Sequence, residues 1–197
     1  MANNEYHFIT NWRVKSTVEE VYDIISTTTE LTRWWPSVYL KVEQIKPGGK
    51  NGVGKQVRLF TKGWLPYTLL WEFEVLESRK PFGSTIAAKG DFNGRGTWDF
   101  KQDDDWVNII YDWKVSADKP LLKSLSFLLK PIFSANHRWA MNKGEESLKL
   151  EIARRQAKTP QELAAIPDPP GSTNSALILL LAFLVILAGA IGLLLWI

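Results

Sequence analysis

Proton transfer near neutral pH is imidazole chemistry, and the chain offers two histidines for it, His7 and His137. His137 stands in a helical stretch and has two readings. As a general base it would need a nucleophile or an orienting partner. Flanked by Arg138 and Trp139, with no Ser or Cys nucleophile pattern beside it, it reads first as a packed or hydrogen-bonded structural residue. Tyr111 is the other group that would relay a proton. The carboxylates offer less: Asp99, Asp112 and Glu72 alternate with aromatic residues along extended segments, so they fall on the opposite face and stay solvated.

Other chemistries are excluded more firmly. Without cysteine there is no disulfide framework, no Cys-based zinc or iron–sulfur site and no Cys nucleophile, and two histidines leave little for a metal. Asp103-Asp104-Asp105 lacks the spacing of a calcium loop and reads as a hairpin turn. The glycines of Gly90-Asp91-Phe92-Asn93-Gly94-Arg95-Gly96 lead into no helix, so they make no phosphate cradle. A formal charge of +3, from 24 basic and 21 acidic residues, writes no footprint for nucleic acid. No cofactor, metal or nucleic-acid partner is expected.

The sequence is rich instead in aromatic surface, with 10 Trp, 9 Phe and 5 Tyr in 197 residues. Trp34-Trp35 and Trp64-Leu65-Pro66-Tyr67, bounded by Pro and Gly, read as lids over a cavity, as membrane-interface anchors, or as ordinary core.

The elements that must position these rings follow from periodicity. Residues 5–14 alternate as a strand, after which Ser16-Thr17-Val18-Glu19 has the spacing of a capping box, with Ser16 as N-cap, opening a short helix. A second short helix over 31–35 ends at Pro36. Strands are then expected over 38–45, 55–61, 68–76, 84–89, 94–101 and 106–115, an antiparallel meander. Period two places Trp71, Phe73, Trp98, Phe100, Tyr111 and Trp113 on one concave face. Residues 119–155 repeat Leu122, Leu125, Leu129, Phe133, Ala140 and Leu148 near a 3.6 period and supply the cover, with Pro131 expected to break or kink it. Gly144 on that stripe leaves room for a ligand or for close sheet contact. One curved antiparallel sheet wrapped around a long C-terminal helix is an α+β, helix-grip arrangement.

The wording of the sequence carries a resemblance. Trp34-Trp35-Pro36-Ser37-Val38-Tyr39-Leu40, Leu65-Pro66-Tyr67-Thr68-Leu69-Leu70-Trp71, Gly96-Thr97-Trp98-Asp99-Phe100, Tyr111-Asp112-Trp113-Lys114-Val115, Asn136-His137-Arg138-Trp139-Ala140-Met141 and Gly144-Glu145-Glu146-Ser147-Leu148 span nearly all of residues 5–155. They resemble the bacterial polyketide cyclase/dehydrase and lipid transport family of the START-related (SRPBCC) superfamily, which includes the birch-pollen-allergen-like folds. The resemblance implies the helix-grip fold and a hydrophobic interior cavity, without implying a reaction.

Residues 176–197 carry no charge over about 22 residues, roughly 33 Å of helix, enough to cross a bilayer. With no apolar core near the N-terminus, this segment reads as a C-terminal transmembrane helix, and Arg154, Arg155 and Lys158 upstream of it place the polar domain on the cytoplasmic side. Residues 157–175, with Pro160, Pro167, Pro169, Pro170 and Gly171, read as a linker that would hold the domain up to roughly 60 Å from the bilayer, or less if Thr159–Ile166 forms a helical turn. The organisation expected is a ligand-binding domain over 1–156, a Pro-rich linker over 157–175 and a span over 176–197.

The function expected is a membrane-tethered binding or transfer protein for an apolar small molecule: a lipid, isoprenoid, quinone or pigment. Its expected ligand-binding residues are Trp34, Trp35, Tyr67, Trp71, Phe73, Trp98, Phe100, Tyr111, Trp113, Phe133, His137 and Met141. The alternatives are a polyketide cyclase- or dehydratase-like enzyme using His137 or Tyr111, and a membrane assembly factor without a ligand.

Overall fold

Alternating apolar and polar residues give strands with one wet and one buried face, and seven such strands form one antiparallel sheet. They are β1 (Glu5–Lys15), β2 (Tyr39–Lys46), β3 (Gln56–Lys62), β4 (Thr68–Ser78), β5 (Gly83–Gly90), β6 (Phe92–Asp103) and β7 (Trp106–Ala117). The order β1-β7-β6-β5-β4-β3-β2 makes β2 through β7 a meander and returns β1 to the edge beside β7. The computed structural model describes residues 4–117 and 120–174. The expected membrane span, residues 176–197, lies outside them, as do the side chains of 117–129, including Leu122, Leu125 and Leu129. Among the described residues no helix is long and apolar enough to cross a membrane.

Pairing fixes which side chains share the concave face. Trp12 sits opposite Ile109, Leu59 opposite Trp71, and Gly96 opposite Trp113. The expected solvated carboxylates are on the other face: Glu72 pairs across strands with Arg58 and Asp112 with His7, and Asp99 pairs with Arg79 of the β4–β5 loop. Asp104, at positive φ, turns the β6–β7 hairpin as anticipated for the acidic triplet.

Two helices lie between β1 and β2, α1 (Val18–Ser26) and α2 (Leu31–Trp34). The cap of α1 is one residue later than expected: Thr17, not Ser16, is the N-cap, and its Oγ1 accepts from the Glu20 amide. Both Ser16-x-x-Glu19 and Thr17-x-x-Glu20 fit the box. The later frame buries Val18, Val21 and Tyr22, and Ser16 donates instead to the Glu20 carboxylate. Helix α2 stops before Trp35, the residue preceding Pro36, where helical geometry is sterically disfavoured.

Helix α3 (Pro120–Gln156) crosses the concave face. Of the expected break or kink at Pro131, the break does not occur: one helix runs on through it. Lys130, Pro131 and Ile132 are exposed, while Asn136, Met141, Leu148 and Ile152 beyond the proline are buried. The polar end of α3 is fixed at Glu151, 2% exposed, which accepts two 2.7 Å bonds from the Arg33 guanidinium and one from Arg155. Burial alone would push this carboxyl up, but the two arginines outweigh it and hold it below its ordinary range.

The expected spacer is a docked strap. Thr159 caps a short α4 (Pro160–Ala165), after which the chain turns back: Arg154 donates to the Pro167 carbonyl and sits 3.6 Å from Asp168. Farther on, Lys62 donates to the Thr173 carbonyl and the Thr173 hydroxyl to the Gly63 carbonyl. Proline stiffens the strap, and these bonds anchor it on the sheet rather than letting it extend away.

Candidate functional site

The rings that period two places together do not fill the space beneath α3. They line a cavity of two lobes, about 120 Å³ and about 110 Å³ in volume. The first, here the α3 lobe, lies under Phe133, His137 and Ala140 and against Tyr67 and Trp113. The second, the α1 lobe, is lined by Trp34, Phe73, Trp98 and Phe100, with Tyr22 of α1. Trp35, Tyr39, Trp71, Tyr111 and Met141 line both and form the waist between them. Each of the twelve expected ligand-binding residues therefore borders one lobe or both.

The walls are made rigid by ring-on-ring packing. Trp98 stacks on Tyr111 at 4.0 Å and Tyr111 on Trp113 at 5.6 Å, continuing to Trp71 at 5.7 Å. Trp35 touches Trp34, Trp12 and Tyr39 at 5.5, 5.6 and 5.1 Å. The Trp71 indole donates to Thr61, and the Asn136 side chain accepts from the Leu65 amide, holding the β3–β4 loop that carries Tyr67. Gly63 is required in that loop because a side chain there would collide with Asn136.

His137 borders the α3 lobe, its ring stacked on Phe8 at 4.1 Å. Burial, with Arg138 beside it, brings its pKa down to about 4, so it is neutral at physiological pH. Its Nε2 is buried without a hydrogen-bond partner among the described residues. Burial likewise pushes Tyr67 up to about 12 and raises Tyr39 and Tyr111, so these phenols stay protonated. Neither lobe is lined by Asp or Glu, and each holds one lysine, Lys62 in the α3 lobe and Lys55 in the α1 lobe. Burial lowers the Lys55 pKa, and its ammonium donates to the Ser26 carbonyl. Among the described residues no cluster of His, Asp and Glu is disposed to hold a metal ion. Such a site offers apolar contact bordered by a few hydroxyl, imidazole and ammonium groups.

Trp12, Tyr6, Phe8, Tyr39 and Phe92 also line the cavity and were not anticipated. Trp12, Tyr6 and Phe8 were legible only given that β1 closes on β7, and Phe92 only given that β6 starts there rather than at Gly94.

No family model and no curated protein matches the chain. Solved structures share its fold. TTHA0849 from Thermus thermophilus superposes with a TM-score of 0.63 at 14% identity, over 77% of this chain and 100% of that one. The Zhui aromatase/cyclase from Streptomyces sp. R1128 gives 0.61 at 13% identity, over 78% and 97%. The di-domain ARO/CYC BexL gives 0.58 at 13% identity over 80% of this chain, which spans about half (52%) of that larger protein. At such identities the likeness is one of fold. The chain thus has an α+β helix-grip architecture, a curved antiparallel sheet with a long helix across it, and shares that fold with these aromatase/cyclases.

Proposed function

We propose that this chain is a membrane-tethered binding or transfer protein for an apolar small molecule, carried in the cavity between the sheet and α3. The observation that carries the reading is the two-lobed cavity itself, walled by stacked aromatic rings, free of carboxylates and bordered by a neutral histidine. An apolar cavity of ~150 Å³ holds a benzene molecule, so each lobe suits about one ring or a short chain, and a longer ligand threads the waist. Burial of its surface would supply ~25 cal/mol per Å².

Tethering is the second part of the proposal: residues 1–156 bind, 157–175 connect, and 176–197 span a bilayer with the domain on the cytoplasmic side. The strap supports a particular placement. Pinned to Lys62 and Gly63, which border the α3 lobe, Thr173 of the strap lies beside that lobe, a few residues before the proposed span. A ligand would then pass between bilayer and cavity over a short path.

The described lining shows no carboxylate beside His137 and no hydrogen bond to its Nε2, so the geometry favours binding over acid–base catalysis. The test is a titration of the full chain in nanodiscs with N-phenyl-1-naphthylamine, a dye that brightens in apolar surroundings. One saturable site per chain is expected, abolished by Ala140→Trp, which fills the α3 lobe. Binding no different from that of empty nanodiscs would overturn the proposal.

A further inference from the structure

The β3–β4 loop, whose Trp64-Leu65-Pro66-Tyr67 allowed three readings, divides by exposure. Tyr67 turns inward and lines the α3 lobe, its ring meeting Phe133 edge-on at 6.2 Å. Trp64 and Leu65 are half-buried and Pro66 is exposed, and none of the three joins the core cluster or borders either lobe. Behind this tip Phe60 of β3 sits directly opposite Leu70 of β4, both alternating away from the buried Leu59, Leu69 and Trp71 onto the convex face. Leu70 is 52% exposed and Phe60 36%. Ile132, also exposed, lies one helical turn before Asn136, whose side chain accepts from the Leu65 amide, so it flanks the same loop.

Isolated apolar residues on a surface need no explanation, and Phe82 in the β4–β5 turn, 57% exposed, is one. A contiguous apolar end does. Residues 60–70 hold one lysine and no carboxylate. What covers this end follows from the strap. Thr173 is bonded to Lys62 and Gly63 at the root of the loop, and the uncharged segment 176–197 starts three residues later. Three extended residues reach at most ~11 Å. While the strap is docked, a bilayer holding that segment therefore lies against the β3–β4 hairpin. Tryptophan and exposed aliphatic side chains are the groups that gain at the boundary between headgroups and acyl chains.

We propose that Phe60, Trp64, Leu65, Pro66, Leu70 and Ile132 form a membrane-docking surface that sits in the headgroup boundary of a phospholipid bilayer. The inference rests on the tether proposed above and adds a second contact, made by the folded domain itself. A span alone would leave the domain free to turn. The docked surface gives it one orientation, with Gly63 and Tyr67 of the α3 lobe next to the lipid.

The chain has no cysteine, so single labels report single sites. Pro66→Cys, Leu70→Cys and Phe82→Cys, each carrying bimane, are compared in the full chain in phosphatidylcholine nanodiscs with and without doxyl-labelled phosphatidylcholine. Phe82 is the control, beyond the far end of the 11-residue β4 and roughly 35 Å from the loop. At least two-fold quenching is expected at positions 66 and 70, and almost none at 82. Adding Phe60→Glu and Leu70→Glu to the Pro66→Cys chain should bring its quenching toward the level at position 82, with the chain still co-eluting with the nanodiscs. A chain that co-elutes but shows no quenching at 66 and 70, or equal quenching at all three positions, would overturn the docking surface and leave the tether standing. Quenching untouched by the two glutamates would overturn the assignment to these residues. A chain that does not co-elute would overturn the tether and the docking surface with it.

Discussion

Gly144 of α3 lies flat against the indole of Trp35: a methyl group on Gly144 would fall inside the van der Waals surface of that ring. The contact seats the helix on the waist of the cavity, so glycine in mid-helix serves packing. Gly144→Ala would gain ~1 kcal/mol of helix propensity and lose ~1–3 kcal/mol to overpacking against a rigid ring. Net destabilisation is expected, with an altered near-ultraviolet circular dichroism signal as Trp35 shifts. A variant as stable as the parent in urea, with an unchanged aromatic signal, would contradict this contact.

The bidentate Arg33–Glu151 pair ties α2 to α3 in the same region. Arg33→Met leaves a buried carboxylate with Arg155 alone, and a loss on the order of 3 kcal/mol is expected at pH 7. The Glu151 carboxyl is held below its unfolded value of 4.5, so its contribution is present above that pH and lost as pH falls through the folded value. Parent and variant should therefore converge in stability as the pH falls below the folded value. A gap that persists in acid would assign the loss to packing rather than charge.

His137 gives a slope of the same sign in a higher pH window. Its pKa is about 4 in the folded chain against 6.5 unfolded, so between these values the unfolded chain binds a proton that the folded chain refuses. Stability is full above pH 6.5 and falls as pH drops toward 4, by about 2 kcal/mol from pH 7 to pH 5. Denaturant titrations of His137→Gln should lack that increment and leave probe binding nearly intact. A slope identical to the parent's, or loss of binding, would show that His137 does something other than fill and neutrally border the lobe.

Deleting residues 176–197 should move the chain from the membrane fraction to a folded, water-soluble form, since the strap up to Thr173 is docked on the domain without them. Fractionation and circular dichroism read both properties. An unfolded truncation would make the segment part of the core.

Much of the sheet was legible because period two is local: Trp71, Phe73, Tyr111 and Trp113 announce a common face from their own neighbours. What escaped depends on partners distant in sequence. Trp12 joins the cavity through β1 pairing with β7, and the strap is fixed by Thr173 meeting Gly63 across the chain. The cap slipped by one residue because two overlapping boxes share the motif, and burial of Tyr22 chose between them. Pro131 signals a break by itself but is overruled by the packing of α3 beyond it.

Native mass spectrometry of the full 22.5 kDa chain, released gently from its own membranes, tests the central claim most directly. A stoichiometric adduct of one apolar small molecule is predicted for the parent, absent from Ala140→Trp, in which the α3 lobe is filled. Bare protein mass in the parent, or an adduct equally present in the filled variant, would contradict the assignment of this cavity as the binding site.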